Sequence, residues 1–305
     1  MANPGIQYIS YRFQLVFDES VSFRTFPTFI FRSILGNQLK RMSCIMRGNA
    51  CDECPMNQQC AYSVIFESPV PRNNPYLAGR NRYPHPFTLY CKTTGRAPAR
   101  RVDLSLTLIG RAIPYFPYLY FALKEAGAAG VFRERTPYKI QDVTVNKESI
   151  VENPEKLKTD IAPFKWTLTE PSETLEHCNL KINFISPFRL KIGGSYSVKF
   201  SYREFLESLK RRLTLLYQSY GTEQGIIPTL PPIPEKRTTL LIHWEDYPRY
   251  SARQKTSLRL GGVVGSMEVA GNFSAIEKSF LTGSAIFHAG KNTAFGFGKI
   301  GLTGL

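Results

Sequence analysis

The chain has 305 residues, which suits one large domain or two domains of ordinary size. Its 43% hydrophobic and 21% charged residues are typical of a folded protein, and they exclude disorder over most of the length. The formal net charge of +15 is spread over both halves of the chain, which predicts a polyanion such as a nucleic acid as the partner.

The sequence also indicates where the protein is located. No stretch reaches the roughly 18 apolar residues that a membrane helix needs. The N-terminus lacks a basic segment followed by an apolar one, so no secretory signal is indicated. We therefore expect a cytoplasmic protein. In that reducing compartment the six cysteines are expected to be metal ligands or free thiols rather than disulfides.

The first half of the chain alternates strand-like and helix-like patterns. Its predicted strands are rich in aromatic and β-branched residues, and its predicted helices have apolar residues at helical spacing. In chain order the elements are strand 8–17, helix 26–40, strand 86–91, strand 102–109, helix 117–126 and strand 138–145. The predicted order is therefore β-α-β-β-α-β.

The second half repeats that order. Its elements are strand 179–185, helix 202–217, strand 238–244, strand 257–269, helix 274–287 and strand 293–302. Residues 151–178 are polar and weakly periodic, which predicts a linker or connecting segment. The repeated order is that of the ferredoxin-like, or RRM-like, fold. We therefore predict an α+β protein with two tandem ferredoxin-like domains, at residues 1–150 and 179–305.

The end of the chain is rich in glycine and lysine. Gly290, Gly296 and Gly298 remove side chains where a backbone must approach something closely, and Lys291 and Lys299 add positive charge beside them. A phosphate or an RNA backbone suits such a surface, although glycine-rich turns without a ligand are equally common. The pattern of a phosphate-binding P-loop is absent, so nucleotide hydrolysis is not indicated.

A basic segment precedes this end of the chain. Residues 248–264 contain Arg249, Arg253, Lys255 and Arg259 but no acidic residue. On a hairpin, such cations hold phosphates and a nearby aromatic ring can stack on a base, which is typical of binding to single-stranded or stem-loop RNA. The alternative is a solvated hairpin without a ligand.

Four cysteines lie close together in the first half. Cys44, Cys51, Cys54 and Cys60 fall within 17 residues and include a C-x-x-C pair. Four thiolates at such spacing predict a structural zinc site in a cysteine-rich loop. An iron–sulfur cluster and unliganded thiols remain the alternatives.

These features resemble the CRISPR-associated, repeat-cleaving endoribonucleases of the RAMP superfamily, the Cas6 family, in its cysteine-bearing branch. The glycine-rich end and the 251–265 hairpin carry the resemblance, together with the segment around Arg189, Gly36 and the cysteines. The resemblance implies CRISPR repeat RNA as the partner, together with other CRISPR effector subunits. It also implies cleavage to 5′-hydroxyl and 2′,3′-cyclic phosphate ends without a catalytic metal, and RNA contacts at Arg189 and the glycine-rich loop.

RNA cleavage without a metal needs a base, an acid and a cation. Histidine suits the proton transfers because its pKa lies near neutrality. Members of the family place a histidine on or near the first helix, whereas this chain has none before His85. His288, beside Gly290 and Lys291, is the first candidate and His85 the second. Side chains near the first helix are further alternatives, namely Lys40, Arg41 and Tyr62.

We therefore predict a CRISPR repeat endoribonuclease with His288, His85 and Lys291 as catalytic candidates. The alternatives are a RAMP subunit that binds CRISPR RNA without cutting it, and a zinc-dependent RNA-binding protein outside CRISPR systems.

Overall fold

The computed structural model describes residues 5–48, 50–70, 82–92, 97–132, 134–153, 156–169, 175–222, 236–251 and 256–304. The chain divides into two compact units. The N-terminal unit contains residues 7–164, and the C-terminal unit contains residues 165–305 together with residues 1–6. The division falls inside the segment 151–178 that the sequence predicts as a connection. Among the described residues, no helix combines the length and apolar content that crossing a bilayer requires.

The N-terminal unit consists of an antiparallel sheet and two α-helices. Its elements are β1 (Gly5–Val21), α1 (Pro27–Ser43), β2 (Phe87–Lys92), β3 (Ala99–Ile109), α2 (Phe116–Ala129), β4 (Tyr138–Val145) and β5 (Glu148–Ser149). The strand order is β2-β3-β1-β4-β5. Alternate residues of β1 are buried, as the period of two along a strand requires. Tyr11 of β1 stacks on Phe116 of α2, with the ring centroids 3.8 Å apart.

Short strands connect this unit to the next. They are β6 (Val151–Asn153), β7 (Lys156–Leu157) and β8 (Phe164–Thr167). In the C-terminal unit, Trp166 of β8 is buried and donates from Nε1 to the carbonyl oxygen of Ser279 at 3.2 Å. The connecting segment therefore includes a residue that packs in the core of the second unit.

The C-terminal unit is built on long strands. Its further elements are β9 (Leu175–Phe188), β10 (Lys191–Ile192), β11 (Ser195–Tyr196), α3 (Tyr202–Tyr220), β12 (Arg237–Ser251), β13 (Thr256–Ser274), α4 (Ala275–Phe287) and β14 (Ile300–Thr303). The main sheet is antiparallel, in the order β12-β13-β9-β14. Capping boxes begin α3 at Ser201 and α4 at Ser274. The prediction of an α+β protein is confirmed.

The last predicted strand is much shorter than expected. The sequence predicts a strand over residues 293–302, whereas Thr293–Phe295 form a 3-10 turn and β14 begins only at Ile300. Gly296 and Gly298 have φ angles of 88° and 73°, which lie in the left-handed region and interrupt an extended strand. The predicted strand is therefore wrong over residues 293–299, where the chain forms the glycine-rich loop (residues 288–299).

Candidate functional site

The predicted RNA-binding hairpin and the glycine-rich loop come together in the C-terminal unit. The guanidinium carbon of Arg249 on β12 lies 4.1 Å from the ring centroid of Phe295 in the loop. Arg259 on β13 is exposed. Arg253 and Lys255 lie outside the described residues. The fold therefore brings at least one arginine of the hairpin against the loop.

The glycines of the loop allow it to pack closely against the backbone of its own unit. A Cβ at Gly298 would lie 1.8 Å from the carbonyl oxygen of Ala289, and one at Gly290 would lie 2.6 Å from that of Arg189. Gly290, Gly296 and Gly298 all have φ in the left-handed region that favours glycine. The close approach that the sequence predicts is therefore made to the protein's own backbone. This geometry does not favour direct contact of RNA with the buried Gly296 and Gly298.

His288, the first catalytic candidate, is buried with 3% of its surface exposed. Its Nδ1 donates to the carbonyl oxygen of Phe297 at 3.1 Å. Burial lowers the pKa of His288 well below its ordinary value, and the cations Lys299 and Arg212 lower it further. Lys299 donates from Nζ to the carbonyl oxygen of Ala285 at 3.0 Å. The geometry therefore favours a neutral, structural histidine and gives Lys299 a partner within the protein.

Other predicted RNA-binding residues lie on or against the loop. Lys291 is exposed within it. Arg189 is largely buried at the end of β9 and donates from Nη1 to Oδ1 of Asn292 at 3.0 Å. Its guanidinium carbon lies 3.7 Å from the ring centroid of Tyr196, which the sequence analysis did not single out. Cations and an aromatic ring therefore share one region of this unit.

A second group of side chains lies along one face of α1 in the N-terminal unit. Arg32, Gly36 and Lys40 are four residues apart and share that face. A Cβ at Gly36 would lie 3.1 Å from the ring of Phe66, so glycine lets this ring lie against the helix. The guanidinium carbon of Arg32 is 5.2 Å from the centroid of Phe66. Nζ of Lys40 is 5.3 Å from the centroid of Tyr62.

His85, the second catalytic candidate, lies beside Arg32. Nη2 of Arg32 is 3.4 Å from Nε2 of His85, and Oγ of Ser68 is 3.4 Å from Nδ1. Since a guanidinium can only donate, Nε2 is the acceptor and the proton of a neutral imidazole lies on Nδ1. Ser68 follows the π-helical turn Ser63–Glu67 and has a φ of 48°. Such turns are frequent at functional sites. The name α1 cluster is used below for Arg32, Lys40, Tyr62, Phe66, Ser68 and His85.

The remaining sequence candidates lie in or beside this cluster. Burial, and then the nearby Glu67 carboxylate, raise the pKa of Tyr62 to about 12. Tyr62 is therefore a neutral phenol at neutral pH, which can donate a proton but is a poor base. Lys40 and Arg41 line a cavity of about 450 Å³ together with Arg47. Cations around a cavity suit a phosphate group.

The cysteine-rich loop is connected to the α1 cluster. The guanidinium of Arg82 pairs with Glu67, at the end of the π-helical turn, and with Asp52 in the loop at 3.0 Å. Sγ of Cys60 contacts the carbonyl oxygen of Ser43, the last residue of α1, at 3.8 Å. Displacing the loop would therefore disturb the end of α1 and the turn that carries Ser68.

The four cysteines themselves are partly buried free thiols. Four thiols are a suitable donor set for zinc. Over the part of the chain that the structure describes, however, no group of three or more His, Cys, Asp or Glu side chains is arranged to hold a metal ion. The zinc site at Cys44, Cys51, Cys54 and Cys60, and its iron–sulfur alternative, therefore stay predictions.

Arg32 and Ser68 were not among the site residues that the sequence predicted. A signal existed for Arg32, since two cations at helical spacing flank Gly36 on one face of α1. No local pattern links Ser68 to His85, because 17 residues separate them along the chain and only the fold brings the two together.

Comparison with family models matches residues 182–300 to the CRISPR-associated endoribonuclease Cas6 and residues 6–162 to an N-terminal domain. A search of curated proteins found no match.

Solved structures share the fold at low sequence identity. A Cas6 product complex has 15% identity and a TM-score of 0.53, over 97% of this chain and 99% of that one. The Thermus thermophilus Cas6 has 14% identity and a TM-score of 0.52, over 99% and 100%. A partial Cas6-RT-Cas1–Cas2 complex has 12% identity and a TM-score of 0.53, and the match covers all of this chain and 47% of that chain.

Proposed function

The chain belongs to the CRISPR-associated endoribonuclease Cas6 family, and on this premise we propose that it cleaves CRISPR repeat RNA in precursor transcripts to give guide RNAs. The family match over residues 182–300 carries the proposal. The net charge of +15 and the cations around the glycine-rich loop support a polyanionic substrate. The product complex and the Cas6-RT-Cas1–Cas2 complex among the similar structures support RNA and other CRISPR proteins as partners.

Two ferredoxin-like domains are the fold that we propose for this activity. Each unit has the order β-α-β-β-α-β among its main elements. In the N-terminal unit β3 lies between β2 and β1, and β4 lies beside β1. In the C-terminal unit β13 lies between β12 and β9, and β14 lies beside β9. This arrangement supports the assignment.

We further propose that the α1 cluster is the catalytic site and that His85 transfers the proton. When RNA binds, Arg32 would exchange its bond to Nε2 of His85 for one to the phosphate. Nε2 would then take the proton of the 2′-hydroxyl, whose oxygen forms a bond to the adjacent phosphorus. The bond from phosphorus to the 5′-oxygen breaks, and that oxygen takes a proton from an acid. The products are a 2′,3′-cyclic phosphate and a 5′-hydroxyl, and no metal ion takes part.

The neighbours of His85 support these roles. Ser68 accepts from Nδ1, which leaves the lone pair on Nε2, the atom that faces Arg32. Arg32 would therefore stabilise the charge that develops on the phosphorane next to the base. Tyr62 is the candidate for the acid, because its raised pKa keeps the phenol protonated at neutral pH. Lys40 beside it would hold a phosphate oxygen.

The test is cleavage of a labelled repeat RNA in buffer containing EDTA. We expect a single cut, a fragment whose mass shows a cyclic phosphate, and no cut when the nucleotide at the cleavage site lacks its 2′-hydroxyl. His85→Ala should slow single-turnover cleavage by roughly 10²–10⁴-fold, the usual contribution of one acid–base group, with little loss of binding.

Two further variants separate catalysis from folding. His177→Ala changes an exposed histidine on β9 and should cleave at the parent rate. His288→Ala should lower the melting temperature, with any loss of rate restored at lower temperature. If His85→Ala cuts within a few-fold of the parent, the catalytic assignment is wrong. If the protein binds repeat RNA but never cuts it, the alternative of a non-catalytic RAMP subunit is correct.

A further inference from the structure

Two aromatic side chains lie together at the surface of the C-terminal unit. Tyr196, at the end of the β10–β11 hairpin, has 37% of its surface exposed. The ring centroid of Trp244 on β12 is 6.4 Å from that of Tyr196, with 44° between the ring planes. Trp244 is only half-buried. Two neighbouring aromatic rings at a surface present flat faces on which a planar ligand can stack.

The indole of Trp244 is held in place. Its Nε1 donates to Oδ1 of Asp246 at 3.0 Å. Gly261 lies opposite Asp246 in the ladder, and a Cβ there would be 2.1 Å from Oδ1 of Asp246 and 2.5 Å from Nε1 of Trp244. Glycine at this position therefore permits the bonded pair. A ring fixed in this way loses little conformational freedom when it binds.

Cations surround the aromatic pair. The guanidinium carbon of Arg189 lies 3.7 Å from the centroid of Tyr196, and Nζ of Lys191 lies 5.1 Å from it. Arg189 is in turn bonded to Asn292, next to the exposed Lys291 of the glycine-rich loop. The pair is therefore continuous with the loop that the proposed function assigns to RNA. We call Arg189, Lys191, Tyr196 and Trp244 the aromatic patch.

We propose that the aromatic patch binds an unpaired base of the repeat RNA by stacking on Tyr196 and Trp244, with the adjoining phosphate held by Lys191 and Lys291. Aromatic rings with flanking cations are the surface that proteins use for single-stranded RNA, because every base has a face that can stack. A base inside a duplex is already stacked and paired, so the patch selects unpaired nucleotides. This inference rests on the proposed function, since it assumes that the chain binds repeat RNA.

Tryptophan fluorescence gives a direct test, because the chain has only two tryptophans. Trp166 is buried with 6% of its surface exposed, so a bound base reaches Trp244 instead. Titration with a repeat RNA lacking the 2′-hydroxyl at the cleavage site should quench the fluorescence. In Trp244→Phe the quench should disappear while the affinity is largely kept, because phenylalanine still stacks.

Affinity measurements complete the test. Trp244→Ala and Tyr196→Ala should each weaken binding by about 5- to 150-fold, the usual contribution of one stacked base. Leu241→Ala is the matched control, since Leu241 is 60% exposed on the same strand and lies outside the patch. It should bind as the parent does. Thermal melting identifies any variant that fails to fold. If Trp244→Ala does not fold, the loss of the quench in Trp244→Phe still tests whether a base stacks on Trp244.

The outcomes are distinct. If the RNA is bound and cut but neither the quench nor the affinity depends on Trp244, this inference fails and the proposed function stands. If a fully paired duplex quenches as strongly as unpaired RNA, selection of unpaired bases is refuted. If the chain binds no repeat RNA under any condition, both the inference and the proposed function fail.

Discussion

Arg212 on α3 donates from Nε to the carbonyl oxygen of His288 at 2.7 Å, immediately beyond the C-terminal end of α4. Its Nη2 donates to the carbonyl oxygen of Phe287, also at 2.7 Å. The last carbonyl groups of a helix lack partners within it, and a cation there also meets the negative end of the helix dipole. One side chain of α3 therefore completes α4 and holds the residue that begins the glycine-rich loop.

Replacing Arg212 should destabilise the protein. Arg212→Met keeps much of the side-chain length but removes the bonds to residues 287 and 288, which should cost about 2–3 kcal/mol, the contribution of hydrogen bonds from a charged group. Arg211→Met is the control, because Arg211 is exposed on the same helix. Urea unfolding measures both. Equal stabilities of the two variants would show that Arg212 does not cap α4.

His288 should make stability depend on pH. Its pKa in the folded protein is lowered by burial and by Lys299 and Arg212, whereas in the unfolded chain it is about 6.5. The unfolded chain therefore binds a proton first as the pH falls. The contribution of neutral His288 to the free energy of unfolding is fully present above about pH 6.5. Below that pH the free energy of unfolding falls, by at most about 1.4 kcal/mol per pH unit.

The matched variant is His288→Asn. Asparagine can donate to the carbonyl oxygen of Phe297 in place of Nδ1, tolerates positive φ and does not titrate. Urea unfolding between pH 7.5 and pH 5 should show a flatter profile for this variant than for the parent. Parallel profiles would mean that His288 is protonated as easily in the folded protein as in the unfolded chain.

Two glycines with similar backbone angles should tolerate alanine very differently. At Gly193, with φ of 55°, a Cβ meets nothing within 4 Å, so Gly193→Ala should cost only about 1–2 kcal/mol of left-handed strain. At Gly298 the Cβ would also lie 1.8 Å from the carbonyl oxygen of Ala289. Gly298→Ala should therefore lower the folded yield and the melting temperature much more than Gly193→Ala does. Similar melting temperatures would contradict the packing role given to the loop.

The cysteine-rich loop should be structural. If Cys44, Cys51, Cys54 and Cys60 bind zinc, elemental analysis should find about one zinc per chain, and Cys54→Ser should lower folded yield before it affects the chemical step. Cys91→Ser is the control for metal content, because Cys91 lies apart from this loop on β2. A folded protein of normal stability with no bound metal would refute the zinc prediction.

Binding should depend strongly on salt. The logarithm of affinity for single-stranded repeat RNA should fall linearly with the logarithm of salt concentration, with a slope of about −0.7 for each neutralised phosphate. Lys291→Ala should make the slope less negative by about that amount, since Lys291 is exposed in the glycine-rich loop. Lys124→Ala, at an exposed position on α2, is the control. An affinity that is insensitive to salt would contradict electrostatic binding.

The sequence by itself determined the class of fold and the order of the elements. The predicted strand at 138–145 coincides with β4, and the predicted helix at 202–217 forms most of α3, because apolar residues at a period of two or of 3.6 report which face of a local segment is buried. The charge of +15 likewise predicts a polyanionic partner such as a nucleic acid. Periodicity and composition are local properties, so a single sequence carries them.

Only the tertiary structure decided which of these residues meet. It placed His85 against Arg32, although 53 residues separate them, and it buried His288, which the sequence favoured. It also turned the glycines of the loop toward the backbone of Ala289 and Arg189, and it brought Tyr196 beside Trp244. Such contacts depend on how strands pair and helices pack over long separations in the chain. No local pattern in the sequence encodes those distances.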